Sequence, residues 1–417
     1  MTDWSEVPLE ALLSEKKNAI AMGPFGSRIK AENFVSEGVP VIKGGNLNAA
    51  FLNEADFDFL TEEKAEELKS SKAITGDIVI THRGTIGQVG LIRENSKYSG
   101  YIVSQSQLKF TPSKTKLDST FAYYFLKSPL GQHRLLMNSS QVGVPAIAKA
   151  TTSVKEILFP LPPLSDQKAI AHILGTLDDK IELNQKMNQT LEEIAKAIFK
   201  SWFVDFDPVR AKAEGRPTGL PPEIRDLFPD ELVDSEIGEI PKGWGLRRLD
   251  SLLELAYGKS LPAKNRIEGE VPVYGSGGIN GFHNEPLFKE TSIVVGRKGT
   301  VGSLYWVDEP FFPIDTVFYV RTEESIHYCF YLMQTLRLDT MNTDAAVPGL
   351  NRENAYRLEF PNIPINIVDK FSEIAKSLRD RISSAEKESK VLSQLRDMLL
   401  PKLISGELHI PDAEKFL

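Results

Sequence analysis

The feature that most constrains this chain is an internal repeat. Trp4 and Trp244 each open a half, and Phe25-Gly26-Ser27 recurs as Tyr257-Gly258-Lys259. Val39-Pro40-Val41 recurs as Val271-Pro272-Val273, and Ile78-Val79-Ile80 as Ile293-Val294-Val295. Arg83-Gly84-Thr85-Ile86-Gly87 recurs as Lys298-Gly299-Thr300-Val301-Gly302. Tyr124-Phe125-Leu126 matches Phe330-Tyr331-Leu332, Val144-Pro145 matches Val347-Pro348, and Phe159-Pro160 matches Phe360-Pro361. The offset falls from 240 at the tryptophans to 201 at Phe-Pro, so the first half carries extra loops. Beyond Phe-Pro the offset stays at 201. Loops tolerate insertion and carry recognition, whereas a length held without a gap points to a spacing element. A duplicated unit of this kind implies two similar modules related by pseudo-two-fold symmetry.

The gap-free stretch has helical periodicity. Pro160-Leu161-Pro162-Pro163-Leu164 reads as an extended strut, because a residue before proline is held out of the helical region. Ser165-Asp166-Gln167 offers an N-cap, and a helix is expected to about Phe203. Alternating spacings of three and four pick out Leu174, Leu177, Ile181, Asn184, Asn188, Leu191, Ala195 and Ile198. Their partners at offset 201 are Ala375, Leu378, Ile382, Ala385, Ser389, Leu392, Arg396 and Leu399. Both seams turn polar or small in the middle, as expected of a coiled coil whose centre sets register.

Each half reads as a mixed, strand-rich module. Val39–Ile42, Asp77–Ile80 and Gln105–Phe110 look like strands, and Glu62–Ser71 and Ser119–Met137 like helices. In the second half Ser292–Val295, Gly302–Val307 and Thr316–Val320 read as strands and Ser325–Met341 as helix. Between the halves, 206–243 is a proline-rich, acid-leaning connector. The expected divisions are 1–160 for the first module, 161–205 for the central helix, 206–243 for the linker, 244–365 for the second module and 366–417 for the last helix.

Composition excludes several classes. One cysteine, Cys329, allows no internal disulfide, which fits a reducing, cytoplasmic setting. The opening Thr2-Asp3-Trp4-Ser5-Glu6 has no basic or apolar leader character, and no apolar run approaches a membrane span. Six scattered histidines show no metal-ligand spacing. A net charge of −8 argues against a uniformly basic nucleic-acid binder, yet permits a local basic stripe.

Catalytic motifs fail on inspection. Tyr257-Gly258-Lys259-Ser260 ends like a phosphate-binding loop, but that loop needs glycine where Leu253 stands. The Pro-Pro pairs lie in Leu161-Pro162-Pro163-Leu164 and Leu220-Pro221-Pro222-Glu223, without the flanking amide and aromatic that an adenine methyltransferase uses on a flipped base. Glu67-Leu68-Lys69 and Pro229-Asp230 lack the strand context of a magnesium nuclease. No catalytic residue and no metal ligand is assigned.

What remains are repeated glycine-rich turns bearing cations and amides. Arg83 and Thr85 in one half, and Arg297, Lys298 and Thr300 in the other, could reach a phosphate or a guanine edge. Lys43 and Asn46, and Ser276 and Asn280, place an amide after a turn, where asparagine can read adenine or bond its own backbone. Ser104-Gln105-Ser106-Gln107, like its counterpart Ile314-Asp315-Thr316, sets polar residues within an apolar strand, where core packing would prefer Val or Ile. Ser27, Arg28 and Lys259 complete the candidate set.

These segments, in this order, resemble the specificity subunit of a type I restriction–modification enzyme. The resemblance rests on Gly23-Pro24-Phe25-Gly26-Ser27, on Phe159–Leu164 running into Asp166-Gln167-Lys168-Ala169-Ile170-Ala171, and on Trp202-Phe203-Val204-Asp205-Phe206. Ser235–Trp244 matches the usual entry to the second module, and Leu399–Leu408 the usual end of the second helix. The strut departs from the pattern at Phe360-Pro361-Asn362-Ile363-Pro364. The resemblance implies an α+β fold with two target recognition domains separated by two long helices in an antiparallel coiled coil, its seam including Leu174, Leu177, Ile181, Leu191, Ile198, Leu378, Ile382, Leu392 and Leu399. It implies double-stranded DNA as ligand, each module reading one half of a bipartite asymmetric site. It implies two modification (methyltransferase) subunits and restriction subunits as partners. No cofactor is then expected on this chain, with S-adenosylmethionine, ATP and magnesium carried by the partners. A two-module protein scaffold that never meets DNA is the alternative, favoured by the acidic charge and opposed by the repeated cationic turns.

Overall fold

The computed structural model describes residues 4–48, 51–140, 143–342 and 349–413. Val347 and Pro348 lie outside them. The chain forms two compact units, Met1–Gln185 with Glu386–Leu417, and Lys186–Ala385. The division cuts across both long helices, so each unit holds one strand-rich module and a segment of each helix.

In the first unit, Ser5–Pro8 pairs antiparallel with Leu158–Leu161. The expected strut is therefore a strand that draws the two ends of the module together. A four-stranded sheet runs Ile20–Met22, Gln107–Phe110, Ile78–Thr81, Val89–Leu91, and a five-stranded sheet centres on Val39–Ile42 beside Tyr101–Val103. The stretch 119–137 forms two helices, Ser119–Lys127 and Pro129–Leu136. Pro129 has no N–H to continue the first helix, and Ser128 before it is extended (φ −66°, ψ 158°). Asp118 caps the first helix at Thr120 N and Phe121 N, and Ser128 caps the second at Gly131 N.

The second unit repeats this plan. Gly245–Arg248 pairs with Glu359–Asn362, and a four-stranded sheet runs Glu254–Tyr257, Val317–Arg321, Ser292–Gly296, Leu304–Val307. Its strand order is that of the first unit. A three-stranded sheet, with Val271–Gly275 in its middle, replaces the five-stranded one. Helix Ile326–Thr335 stops short of Met341, and a separate turn follows at Leu338–Thr340. The connector is more than a linker. It forms helices Asp207–Ala213 and Pro222–Arg225 and the hairpin of Leu232–Ser235 with Gly238–Pro241. Phe206, Val209 and Phe228 are buried in the core of this unit, around Trp202, Phe203 and Trp244.

The long helices are Leu164–Phe203 and Ile365–Ile404, 40 residues each, and they match end to end at offset 201. They pack antiparallel. In the first unit Leu174 and Leu177 share a core with Leu399, Leu400 and Leu403. In the second Ala195, Phe199 and Trp202 share one with Phe371 and Ala375. The first helix starts before the expected N-cap, so Ser165-Asp166-Gln167 lies inside its first turn, with Asp166 N and Gln167 N bonded to Pro163 O. Gln167 is buried and joins the helix start to its module. It donates to Lys116 O (3.1 Å) and Pro162 O (2.9 Å) and accepts from Asp118 N (2.9 Å). The polar centre of the seam holds Asn184, whose amide donates to Glu388 (2.8 Å) and Ser389 (3.3 Å). Of the remaining expected seam residues, Ile181, Ile382 and Ala385 are buried, while Leu191, Ile198, Leu378 and Leu392 are partly buried.

Candidate nucleic-acid interface

In the first module, strands leave one end of the structure through loops that hydrogen-bond to one another. Gly23 N donates to Gln107 O, Ser104 N to Ile42 O, and His82 N to Ser106 O, each at 2.9 Å. Gln88 Nε2 reaches Gly44 O at 3.1 Å. The segments bearing Arg28, Lys43, Arg83, Thr85 and Gln105 are thus gathered on one rim, all five side chains exposed. Beneath them Gln107 is buried, donating to Thr81 Oγ1 (3.2 Å) and bonded to Ser104. Burial pushes the His82 ring below its usual pKa, and its Nε2 lies 3.2 Å from Gln105 O. Gln107 and His82 are therefore support, while Gln105 faces out.

The second module repeats the pattern bond for bond. Ile314 N donates to Tyr274 O (2.9 Å), and Arg297 N to Thr316 O (2.9 Å). The cationic turns match most closely. Gly84 and Gly299 both have φ +87°, which an L side chain adopts only with strain. Ile86 N bonds Gly84 O as Val301 N bonds Gly299 O, and Arg83 bridges Ala146 as Lys298 bridges Gly349. Lys259, Lys298 and Thr300 are exposed here, with Asn280 exposed on the neighbouring strand. Ser276 is half-buried, and its carbonyl accepts from Ser303 Oγ (2.7 Å).

One motif alignment changes. Gly23, not Gly26, is the equivalent of Gly258. A Cβ on Gly23 would lie 1.9 Å from Ser104 O, and one on Gly258 would lie 2.1 Å from Ile314 O. Each follows the edge strand of its own module's four-stranded sheet, Met22 opposite Leu108 and Tyr257 opposite Phe318. The aromatic-glycine match in the sequence is displaced by three residues, because the constraint is a close backbone approach and not the aromatic beside the glycine.

Asn46 takes the structural role open to it. It is buried, accepts from Lys43 N (2.9 Å) and donates to Asn53 O (3.2 Å) and Ala55 O (3.0 Å). With its amide engaged inside the loop, it presents no free edge to a base. Lys43 is paired with Asp58 and lies 5.0 Å from the Phe34 ring. Arg28 donates to Glu67 O (3.0 Å). Ser27 lies on the short turn Gly26–Arg28.

Tyr257 and Arg352 lie beside the candidate residues Arg297 and Lys298, and neither is among the candidates drawn from the sequence. Tyr257 is 48% exposed, with the guanidiniums of Arg297 and Arg352 each 4.9 Å from its ring centre. Together with Lys298 and Asn351 they line a cavity of about 310 Å³. An exposed ring with two guanidiniums and a lysine close by suits an anion or a stacked base. Tyr257 is visible in the sequence only as an aromatic before Gly258. Arg352 lies 95 positions away in sequence, and only folding brings it near. Among the described residues no cluster of His, Cys, Asp or Glu could hold a metal, and no helix is long and apolar enough to cross a membrane.

Comparison with known families decides what such a duplicated rim belongs to. The model of the type I restriction modification DNA specificity domain matches residues 25–193 and again 241–395. The chain belongs to the type I restriction–modification specificity subunit family. Each match runs from a module into the long helix after it, so the family's repeating unit is module plus helix. The chain is similar to the type I restriction enzyme MjaIX specificity subunit of Methanocaldococcus jannaschii, at 27% identity over 385 residues, covering 85% of this chain and 82% of that one. It is similar to the HindI specificity subunit of Haemophilus influenzae, at 29% identity over 326 residues, covering 61% and 70%. The crystal structure of a type I S subunit from M. genitalium shares the fold, with TM-score 0.60 at 19% identity over 96% of each chain.

Proposed function

We propose that this chain is the DNA-reading subunit of a type I restriction–modification complex, with no catalysis of its own. Each module reads one half of a bipartite, asymmetric site. The helix pair sets the unspecified spacer and docks two modification subunits, which carry S-adenosylmethionine. Restriction subunits add ATP- and magnesium-dependent action. The observation that carries this reading is the recurrence of one loop frame in both modules, with Arg83 and Lys298 on identical glycine turns, while the side chains around the turns differ. Two equivalent frames with unlike side chains suit two unlike half-sites. Arg83, Thr85 and Gln105 act in the first module, with Ser27, Arg28 and Lys43 at its margin. Lys259, Ser276, Asn280, Arg297, Lys298 and Thr300 act in the second. The net charge of −8 leaves part of the phosphate neutralisation to the modification subunits.

The test is selection from a random duplex pool by this chain assembled with its modification subunit. A bipartite motif with a fixed spacer supports the reading. A stably assembled complex that enriches no sequence sinks it in favour of the protein scaffold.

A further inference from the structure

The two long helices are alike in length and apolar pattern, so each half could in principle pair with a copy of itself. Their buried charges are not alike. In the first unit, Asp178 on the first helix is 2% exposed at its side chain and lies 2.5 Å from Arg396 on the second. Tyr124 of the module donates to the other oxygen of Asp178 at 2.7 Å. In the second unit, Glu192 on the first helix lies 3.6 Å from Arg379 on the second, their side chains 21% and 11% exposed. Tyr331 of that module donates to Glu192 at 3.1 Å. Both acids of these layers sit on the first helix and both bases on the second.

The offset of 201 converts this into a statement about self-pairs. Asp178 corresponds to Arg379, Glu192 to Ser393 and Ala195 to Arg396. The local helix packings correspond as well. Leu177, Leu400 and Leu403 in one core are matched by Leu378, Phe199 and Trp202 in or against the other. In a self-pair of first halves, Asp178 therefore faces Glu192 and Ala195 of the second copy, acid against acid in both layers. In a self-pair of second halves, Arg379 faces Ser393 and Arg396 of the second copy, base against base. Only the mixed pair sets acid against base. Asp397, 2.7 Å from Arg396, and Lys196, 3.6 Å from Glu192, stay on their own helices in any pairing, but both are exposed and offset little of the repulsion between buried like charges, and helix pairs discriminate partners by such repulsion. Lys180 and Glu388 run in the opposite sense at 3.7 Å, but both are about half exposed, where a pair contributes little.

We infer that the Asp178–Arg396 and Glu192–Arg379 layers are a pairing code that makes the first half of this chain accept the second half and reject a second copy of itself. The partner surface is thus chosen by charge, not by the apolar seam, which both halves share. The consequence is that two unlike modules stay together, and a self-paired half reading a symmetric site is excluded. This holds whether or not the modules read DNA.

A competing determinant is shape, since Trp202 and Phe203 stand where the second helix has Leu403 and Ile404. One experiment separates the two. The full chain, with a protease site placed between Gly215 and Gly219, is folded and then cleaved in its connector. It is incubated until labelled and unlabelled pairs have exchanged partners, and read by native mass spectrometry. The wild type is expected to show mixed pairs alone. Asp178→Arg with Arg396→Asp keeps one mixed ion pair but turns the first layer around. Self-pairs then set the introduced guanidinium at position 178 against Glu192, and Arg379 against the introduced carboxylate at position 396, so they are expected to rise to a large share. Asp178→Asn with Arg396→Gln, which removes charge and adds none, is expected to raise self-pairs in part. Statistical scrambling by the wild type overturns the inference. So do mixed pairs alone in both variants after demonstrated exchange, which would assign pairing to shape.

Discussion

If the helix pair sets the distance between half-sites, shortening it must shorten the spacer by a calculable amount. The perturbation is removal of one heptad from both helices at their polar centre, residues 184–190 and 385–391. Deletion from one helix alone would slide the pair out of register. Deletion from both leaves the seam intact, because Ile181 is then followed three positions on by Leu191, and Ile382 by Leu392. It also carries Asp178 with Arg396, and Glu192 with Arg379, into register by the same shift. Seven residues at about 1.5 Å rise remove about 10.5 Å. At about 3.4 Å per base pair this is about three base pairs. Three base pairs also rotate one half-site by about 100° about the duplex axis, so weaker binding should accompany the change. The assay is random-duplex selection with the assembled complex. The expected motif has both half-sites unchanged and a spacer shorter by about three. Both half-sites recovered at the original spacer would refute the ruler, since the modules would then be positioned by something other than helix length.

Three further perturbations test the site and its frame. Gly258→Ala should destabilise the chain by about 2 kcal/mol, because its Cβ would lie 2.1 Å from Ile314 O and the backbone must move. Gly277→Ala, which meets open space, is the control, and equal melting temperatures would remove the claimed approach of this loop to Pro313-Ile314. Lys298→Ala and Arg83→Ala should each lower the slope of log affinity against log salt by about 0.9 while leaving sequence preference intact. An unchanged slope in both would place these cations away from phosphate. His327 is half-buried against Trp306 at 4.8 Å, and burial pushes its pKa down to about 4 from 6.5, against the opposing field of Asp380. The unfolded chain gains this proton below about pH 6.5 and the folded chain only near pH 4, so stability is full above that window and falls through it as pH drops. His327→Phe should flatten the melting profile between those values, and parallel profiles for wild type and variant would contradict the assignment.

What the chain's sequence determined by itself is periodic or repeated. The matched halves, the 201-residue offset and the apolar seam follow from local spacing, because a helix must place every third or fourth residue on one face whatever surrounds it. The cationic glycine turns were legible for a similar reason, since φ near +87° at Gly84 and Gly299 leaves little choice of residue. Tertiary structure decided where each polar group spends its hydrogen bonds. In sequence Asn46 is an amide after a glycine turn and Gln105 a polar position in an apolar strand, yet Asn46 is consumed by Asn53 and Ala55 while Gln105 is left facing out. The connector reads as a linker ordered only in patches because proline and acid dominate it, and which patches are ordered is decided by its few aromatics, which find a core that only the folded second module supplies. Arg352 joins Tyr257, and Asp178 joins Arg396, across 95 and 218 positions. Charge attracts through space and not along the chain, so the partner of each buried charge was fixed only when the helices met antiparallel.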